Sequence, residues 1–243
     1  MSVVGNSNFT KRLIYEIKLY ESQKEYFNDA GIYFEYDNDD LRNIKLLIIG
    51  PENTPYENGF YFFNISIPHN YPFNPPRLTF LNRIDNIRFH PNLYVEGYVC
   101  LSVLNTWGNN EWSPCQNLTS IASTIQSVLN DNPIINEPEY ENETGKISQD
   151  YRKIIEYYNL KSIYKNITDP IIGYNNFLPV IKKYFLSKYE KYLELITKNK
   201  KLHNQNVSCS IYGLSVKLDY KKLKTDFNSL YSLIEDKEDF EQD

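Results

Sequence analysis

The chain has 243 residues, of which 41% are hydrophobic and 23% charged, and its formal net charge is -5. These values predict an ordinary globular protein and exclude a largely disordered one. The mild acidity argues against nucleic acid as a partner, because nucleic-acid-binding domains usually present a basic surface.

The sequence contains no segment typical of a membrane span, a secretion signal or a metal site. No uninterrupted apolar run approaches about 18 residues, the length needed to cross a bilayer. Residues 1–12 lack the apolar core of a signal peptide, so we expect a cytoplasmic or nuclear protein that is not secreted. The three cysteines and three histidines are not at metal-ligand spacings, and we expect neither a metal ion nor a disulfide framework.

The first part of the chain is typical of a helix followed by four short strands. Residues 9–26 carry apolar side chains at helical spacing, which predicts an amphipathic helix. Glycine and proline then separate four apolar runs. The predicted strands are Ile32–Tyr36, Ile44–Ile49, Phe60–Ile67 and Arg77–Phe80. Because the connections leave no room for crossover helices, we expect an antiparallel meander.

Regular periodicity is lost over residues 81–116, and an aperiodic segment of this length inside a domain is usually functional. Asn117 is a good N-cap for the helix that follows. Further helices are predicted at about 141–160, 177–199 and 218–236, with a polar stretch over 198–210 that could act as a linker. The predicted fold class is α+β, with a four-stranded antiparallel meander flanked by helices and a C-terminal helical extension.

Cys100 allows two interpretations. Its apolar neighbours, Val99 to Leu104, are typical of a cysteine buried in a core. Its place in the aperiodic segment, ten residues after His90 and eight after Asn92, also fits an exposed nucleophile. In that case the Asn92 amide could support an oxyanion formed at a thioester on Cys100.

A set of short motifs resembles the ubiquitin-conjugating enzymes. The motifs are YPFNPP from Tyr71, HPN from His90, Gly97, Cys100 and WSP from Trp112, in that family's order and spacing. The stretch CLSVLNTW from Cys100 and the later NEP tripeptide further resemble the larger, C-terminally extended members. The resemblance implies the family's α+β fold, and we expect a tail over 1–8, a core domain over 9–165 and a helical extension over 170–243.

The resemblance also implies roles for individual residues. Cys100 would carry ubiquitin or a ubiquitin-like protein as a thioester, Asn92 would stabilise the oxyanion, and His90 would fix the loop as a structural residue. Glu137 matches an acidic gate beside the acceptor lysine, but the loop is one residue longer here, which leaves Asn136 as an alternative. No cofactor is implied, since ATP is consumed earlier by the activating enzyme.

The implied partners are a ubiquitin-activating enzyme, a ubiquitin ligase and protein substrates. The matching contact positions are Lys11, Arg12, Phe73, Ser113 and Pro114. From the helix alone, a solvated face is the favoured explanation of the two basic residues, and packing under the proline loop explains Phe73 equally well. The extension is hypothesised to help select the activating enzyme or the modifier, as in the resembling branch.

The same residues argue against two other functions. A non-catalytic module of the same fold lacks the cysteine, which is present here. A cysteine protease or isopeptidase with His90 as base needs an orienting partner for that histidine and a site open to water. A histidine locked before a proline, ten residues from the cysteine, suits that chemistry poorly.

Overall fold

Four strands form a sheet in the order of the chain. They are β1 (Ile32–Tyr36), β2 (Asn43–Ile49), β3 (Phe60–Ser66) and β4 (Arg77–Phe80). β1 pairs antiparallel with β2, and β3 pairs antiparallel with β4. Most residues of β2 and β3 are buried, as expected for central strands with both faces covered. The predicted α+β class and strand positions are confirmed.

The structure is a computed structural model that describes residues 8–37, 40–108 and 111–240, and only the backbone of Asn8 and of residues 237–240. The predicted tail over residues 1–8 therefore lies, apart from the backbone of Asn8, outside the described residues. None of the helices in the described ranges is both long enough and apolar enough to cross a bilayer.

The N-terminal helix is divided, which corrects the single helix predicted over 9–26. The helices are α1 (Asn8–Ser22) and α2 (Lys24–Asp29). Gln23 separates them because its backbone, at φ −121° and ψ 17°, is not helical. The next helix, α3 (Leu118–Val128), has Asn117 as its N-cap, as predicted, and the Asn117 side chain accepts a hydrogen bond from the Ser120 backbone in a capping box.

The chain is divided into two compact units. The first comprises Met1–Pro51, Tyr61–Arg83 and Arg88–Asn130, and the second comprises Glu52–Phe60, Ile84–Ile87 and Asp131–Asp243. The first unit holds α1 to α3 and nearly all of the sheet. The second holds three further helices, α4 (Lys146–Thr168), α5 (Leu178–Lys198) and α6 (Tyr220–Phe240). The domain boundaries expected from the sequence stay a prediction.

A short β-hairpin, which the sequence analysis did not predict, precedes α6 and begins within the polar stretch over 198–210 that was left open as a linker. It consists of β5 (Asn206–Cys209) and β6 (Leu214–Lys217), paired antiparallel. Each strand has four residues and alternates buried with exposed positions. Four residues are too few for an alternating pattern to be distinguished from chance. The connecting turn places Tyr212 at φ +61°. Because a positive φ is uncommon for residues other than glycine, a tyrosine in the sequence does not indicate such a turn.

The second unit is stabilised by a cluster of aromatic rings between α5 and α6. Phe227 is fully buried, and its ring centroid lies 5.6 Å from that of Phe185 and 5.5 Å from that of Tyr192. The aromatic faces of the two helices therefore pack on each other, as expected for amphipathic helices that must bury an apolar face.

Phe227→Ala is expected to reduce the free energy of unfolding of this unit by about 3–5 kcal/mol, because it leaves a cavity among well-packed rings. A urea titration followed by tyrosine fluorescence measures the change. Leu233→Ala, on the exposed side of the same helix, is the matched control and should change stability by less than about 0.5 kcal/mol. Equal effects of the two substitutions would contradict the packing described.

Candidate active site

The segment that carries the predicted site forms a small hairpin in the first unit. Leu93 bridges both His90 and Val99 in antiparallel pairing, and the turn closes with a hydrogen bond from Gly97 N to Tyr94 O of 2.9 Å. Gly97 adopts φ +98°, and a Cβ atom there would lie 2.8 Å from the carbonyl oxygen of Phe80. Glycine is required at this turn for both reasons.

The hairpin brings Asn92 and Cys100 directly opposite each other. The backbone N–H of Cys100 donates to the Asn92 carbonyl at 2.9 Å, and Nδ2 of Asn92 donates to the Cys100 carbonyl at 2.6 Å. Oδ1 of Asn92 is buried and has no hydrogen-bond partner within the described residues. The amide carries two N–H bonds, of which the bond to the Cys100 carbonyl uses one.

The Cys100 thiol is held in its neutral form. Its side chain is nearly buried, with 5% of the residue exposed, and Sγ donates to the Thr106 carbonyl at 3.0 Å. Burial raises the pKa of the Cys100 thiol, while the positive charge of Arg88 opposes that rise. Burial disfavours the charged form of any acid, so this cysteine needs help to become a nucleophile.

Thr106 fixes the backbone on both sides of the cysteine. Its hydroxyl accepts a hydrogen bond from Leu101 N at 2.7 Å and lies 2.9 Å from the Val99 carbonyl, to which it can donate. The threonine belongs to the LSVLNTW stretch, but nothing in that stretch indicates this role. A single hydroxyl therefore orders the residues that flank Cys100.

His90 is a buried, neutral residue in the frame of the hairpin. Burial lowers the pKa of its imidazole to about 3, and the positive charge of Arg88 adds to the effect. Nδ1 accepts the backbone N–H of Asn92 at 3.0 Å, and the ring also hydrogen-bonds the backbone of Val128. Both ring nitrogens are thus occupied away from the thiol, an arrangement unsuited to a protease base.

Two loops present the predicted ligase-contact residues on the surface of the first unit. Phe73 is 75% exposed, Pro114 is exposed and Ser113 is half-buried. The loops are joined by Trp112, whose indole Nε1–H donates to the Pro72 carbonyl at 2.7 Å. The exposure of Phe73 contradicts the alternative in which this side chain packs beneath the proline loop.

The two basic residues of α1 have different surroundings. Lys11 is exposed, whereas the guanidinium of Arg12 forms an ion pair with Glu16 and donates to the Gln116 carbonyl at 2.7 Å. Glu16 is only 3% exposed. Its carboxylate also accepts the Tyr71 hydroxyl at 2.7 Å, so Arg12 neutralises a buried charge that organises this end of the unit.

Glu137 lies in the second unit, in the loop after a 3₁₀ turn over Pro133–Asn136. Its Oε2 accepts a hydrogen bond from the Tyr212 hydroxyl, and the Tyr212 ring stands edge-on to Tyr151 with centroids 6.0 Å apart. Sequence reasoning missed Tyr212 because it missed the hairpin that carries it. The same unit holds the alternative, Asn136, whose Nδ2 donates to the Pro133 carbonyl at 3.1 Å.

Comparisons with known proteins agree with this architecture. The family profile described as ubiquitin-conjugating enzyme matches residues 12–159. Ubiquitin-conjugating enzyme E2 Z of Danio rerio is 32% identical over 210 residues, which are 85% of this chain and 64% of that protein. Its Homo sapiens counterpart is 36% identical over 171 residues, 67% of this chain and 47% of that protein.

A shorter match is to the Homo sapiens dual E2 ubiquitin-conjugating enzyme/E3 ubiquitin-protein ligase BIRC6, 34% identical over 157 residues, 60% of this chain but 3% of that protein. The profile match covers more than half of the sequence, so the chain belongs to the ubiquitin-conjugating enzyme family. The family predicted from the motifs is therefore confirmed. The chain spans 64% and 47% of the lengths of the two E2 Z proteins.

Proposed function

We propose that this protein accepts ubiquitin, or a ubiquitin-like protein, as a thioester on Cys100 and transfers it to a substrate lysine or to a ligase. The observation that carries the proposal is the hairpin that holds Cys100 opposite Asn92 in a chain of this family. The coarser statement, membership of the family, rests on the comparisons.

The proposed reaction is an exchange of thioesters followed by aminolysis. In charging, the Cys100 thiol loses its proton, and its sulfur attacks the carbonyl carbon of a thioester on the activating enzyme. The old carbon–sulfur bond breaks with its electron pair on the enzyme's sulfur, which takes up a proton. In discharge, a neutral amine attacks the carbonyl carbon on Cys100, and the Asn92 amide donates to the oxyanion formed on the way. The carbon–sulfur bond then breaks with its electron pair on the Cys100 sulfur, the nitrogen loses a proton to solvent, and the sulfur is reprotonated.

We propose that the chain itself binds no cofactor, because the thioester already contains the energy released from ATP by the activating enzyme. Lys11 and Arg12, together with Phe73, Ser113 and Pro114, are proposed to contact the activating enzyme and the ligase. A cytoplasmic or nuclear location, and a role for the extension in choosing the activating enzyme, are part of the same proposal.

The direct test is incubation with a ubiquitin-activating enzyme, ATP and ubiquitin, followed by a gel without reductant. We expect an adduct that disappears when reductant is added, since thiols cleave thioesters. A binding module of the same fold gives no adduct, and a protease consumes ubiquitin conjugates without forming one. Absence of the adduct with ubiquitin and with ubiquitin-like proteins alike would contradict the proposed function.

Glu137→Gln is expected to slow discharge to free lysine about tenfold or more near neutral pH, with charging unchanged. The carboxylate favours loss of the proton from the incoming amine, so the defect should shrink at high pH, where a larger fraction of free lysine is already neutral. Discharge is measured from pH 7 to pH 10 by the disappearance of the charged form. A defect of equal size at every pH would mean that Glu137 has another task.

The Tyr212 hydroxyl should act through Glu137 in the same assay. Tyr212→Phe removes the hydrogen bond but keeps the ring, so we expect a smaller loss of discharge and no further loss when it is combined with Glu137→Gln. Tyr184→Phe is the matched control, because its hydroxyl donates to Asn58 Oδ1 at 2.8 Å in the same unit. Asn136→Ala tests the alternative gate residue and should leave the pH profile unchanged.

A further inference from the structure

The side chains on one face of the active-site hairpin surround the cysteine. Side chains alternate between faces along a strand, and residues directly opposite each other share a face. The pairs are set by the bridge between Leu93 and Val99 and by the backbone bonds from Cys100 to Asn92 and from Tyr94 to Tyr98. The cysteine face of the hairpin therefore comprises Asn92, Tyr94, Tyr98 and Cys100, while Leu93 and Val99 are buried on the other face.

Arg88 is clamped onto this cysteine face. Its guanidinium carbon lies 3.8 Å from the centroid of the Tyr94 ring, and Nη2 donates to the Pro91 carbonyl. A planar guanidinium suits both contacts, stacking on the ring and donating in its own plane. The charge is consequently fixed in position instead of moving freely in solvent.

The clamp places this charge near the sulfur. Diagonally opposite positions on one face of a hairpin, such as Tyr94 and Cys100, lie about 7–8 Å apart. Tyr98 links them, since its ring lies 5.5 Å from that of Tyr94 and its hydroxyl donates at 3.2 Å to the Thr106 carbonyl that also accepts Sγ of Cys100.

The electrostatics of the site follow from this placement. Arg88 lowers the pKa of the Cys100 thiol against the effect of burial, and it also disfavours the protonated form of His90. Beside the sulfur, burial keeps His90 neutral, and the rings of Tyr94 and Tyr98 lie on the face of the hairpin that carries Cys100. In the described part of the chain, Arg88 is the charged residue that acts on the thiol's ionisation.

We propose that Arg88 is an electrostatic positioning residue that stabilises negative charge on the Cys100 sulfur when it attacks as a thiolate and when it leaves as one. The thiol proton passes to solvent before attack, so the sulfur has a full negative charge on the face of the hairpin where the guanidinium is fixed. The proposal deepens the proposed function and rests on it for the two transfer steps. Thiolate formation itself is independent of any ubiquitin-like partner.

The test is alkylation of the full-length protein with iodoacetamide from pH 6.5 to pH 10.5, with each cysteine followed by peptide mass spectrometry. The midpoint of the rate against pH reports ionisation of Cys100, and the plateau reports access to the buried sulfur. The exposed Cys115 is an internal reference in every sample. We expect Arg88→Gln to move the Cys100 midpoint upward by about 0.5–1 pH unit, which is a three- to ten-fold slower reaction at pH 7.5.

Two further variants make the result specific to charge. Arg88→Lys keeps the charge and should retain a midpoint within about 0.3 pH unit of the unsubstituted protein. Arg83→Gln removes a nearby arginine that likewise donates to a main-chain carbonyl, that of Glu96 at 2.7 Å, and should leave the midpoint unchanged. A Gln variant with the original midpoint, or a Lys variant that matches the Gln variant, would overturn the proposal even if both variants were less stable.

Charging by the activating enzyme at pH 7.5 should fall by the same factor as alkylation in Arg88→Gln. The alkylation midpoint could shift in Arg88→Gln while the unsubstituted protein is not charged at all. That result would support the role of Arg88 in thiolate formation and would overturn the proposed function. Charging that falls while the alkylation midpoint stays in place would assign Arg88 to partner binding and overturn the electrostatic role.

Discussion

Cys100→Ala is expected to abolish the reductant-sensitive adduct with ubiquitin, because the substitution removes the sulfur to which the acyl group is attached. Cys100→Ser should instead accumulate an adduct that resists reductant, since an oxyester is not cleaved by thiols and an alkoxide is a poorer leaving group than a thiolate. The serine hydroxyl can still donate to the Thr106 carbonyl that now accepts Sγ, so the local structure should persist. Gels with and without reductant measure both outcomes.

The other two cysteines provide matched controls for this experiment. Cys115 is exposed and Cys209 is buried in the second unit, so one tests accessibility and the other tests the mere presence of a thiol. Cys115→Ala and Cys209→Ala should both charge normally. Loss of the adduct in Cys115→Ala, with Cys100 intact, would transfer the acyl site to Cys115.

Asn92→Ala is expected to slow discharge to free lysine by about 10- to 1,000-fold, as for loss of one oxyanion donor, while charging remains. The substitution leaves the backbone bonds of residue 92 to the His90 ring and to Cys100 N in place, so the hairpin should still form. Single-turnover chase of the charged protein with lysine gives the discharge rate. Melting temperature gives the structural cost of losing the bond to the Cys100 carbonyl.

Asn92→Asp distinguishes the two roles of this side chain. The carboxylate has nearly the same shape but donates no hydrogen bond, and it places a negative charge where the oxyanion forms. A discharge rate at least as low as that of Asn92→Ala supports an oxyanion role. Discharge at the original rate in both variants, with a lowered melting temperature, would make Asn92 a purely structural residue.

Asn92 and Cys100 could be named from the sequence because the spacing of the motifs relates them over eight residues. The hairpin that pairs them across the turn at Gly97 was not predicted, since it lies where regular periodicity is lost. The exposure of the sulfur was not predictable in this way. Cys100 is nearly buried and also lies at the predicted site. The sequence presented a buried core cysteine and an active-site cysteine as alternatives, whereas the structure shows features of both.

Arg88 and Tyr212 illustrate what local reasoning does not reach. Arg88 is two residues before His90 in the sequence. Its proposed role depends on its stacking on the Tyr94 ring and on the fact that Tyr94 and Cys100 share one face of the hairpin. Tyr212 contacts Glu137 from 75 residues further along the chain. Its approach depends on a hairpin whose strands are too short to show a periodic pattern.

The sequence by itself determined the class of fold and the four strands of the sheet, because hydrophobic alternation, proline and glycine act over a few residues. Tertiary structure decided that Glu16, a charged residue on an amphipathic helix, is buried. Tyr71 and Leu118, 55 and 102 residues away, donate hydrogen bonds to its carboxylate. Such partners stabilise a charge out of water only when the whole unit has folded, since an isolated carboxylate in the interior is strongly unfavourable.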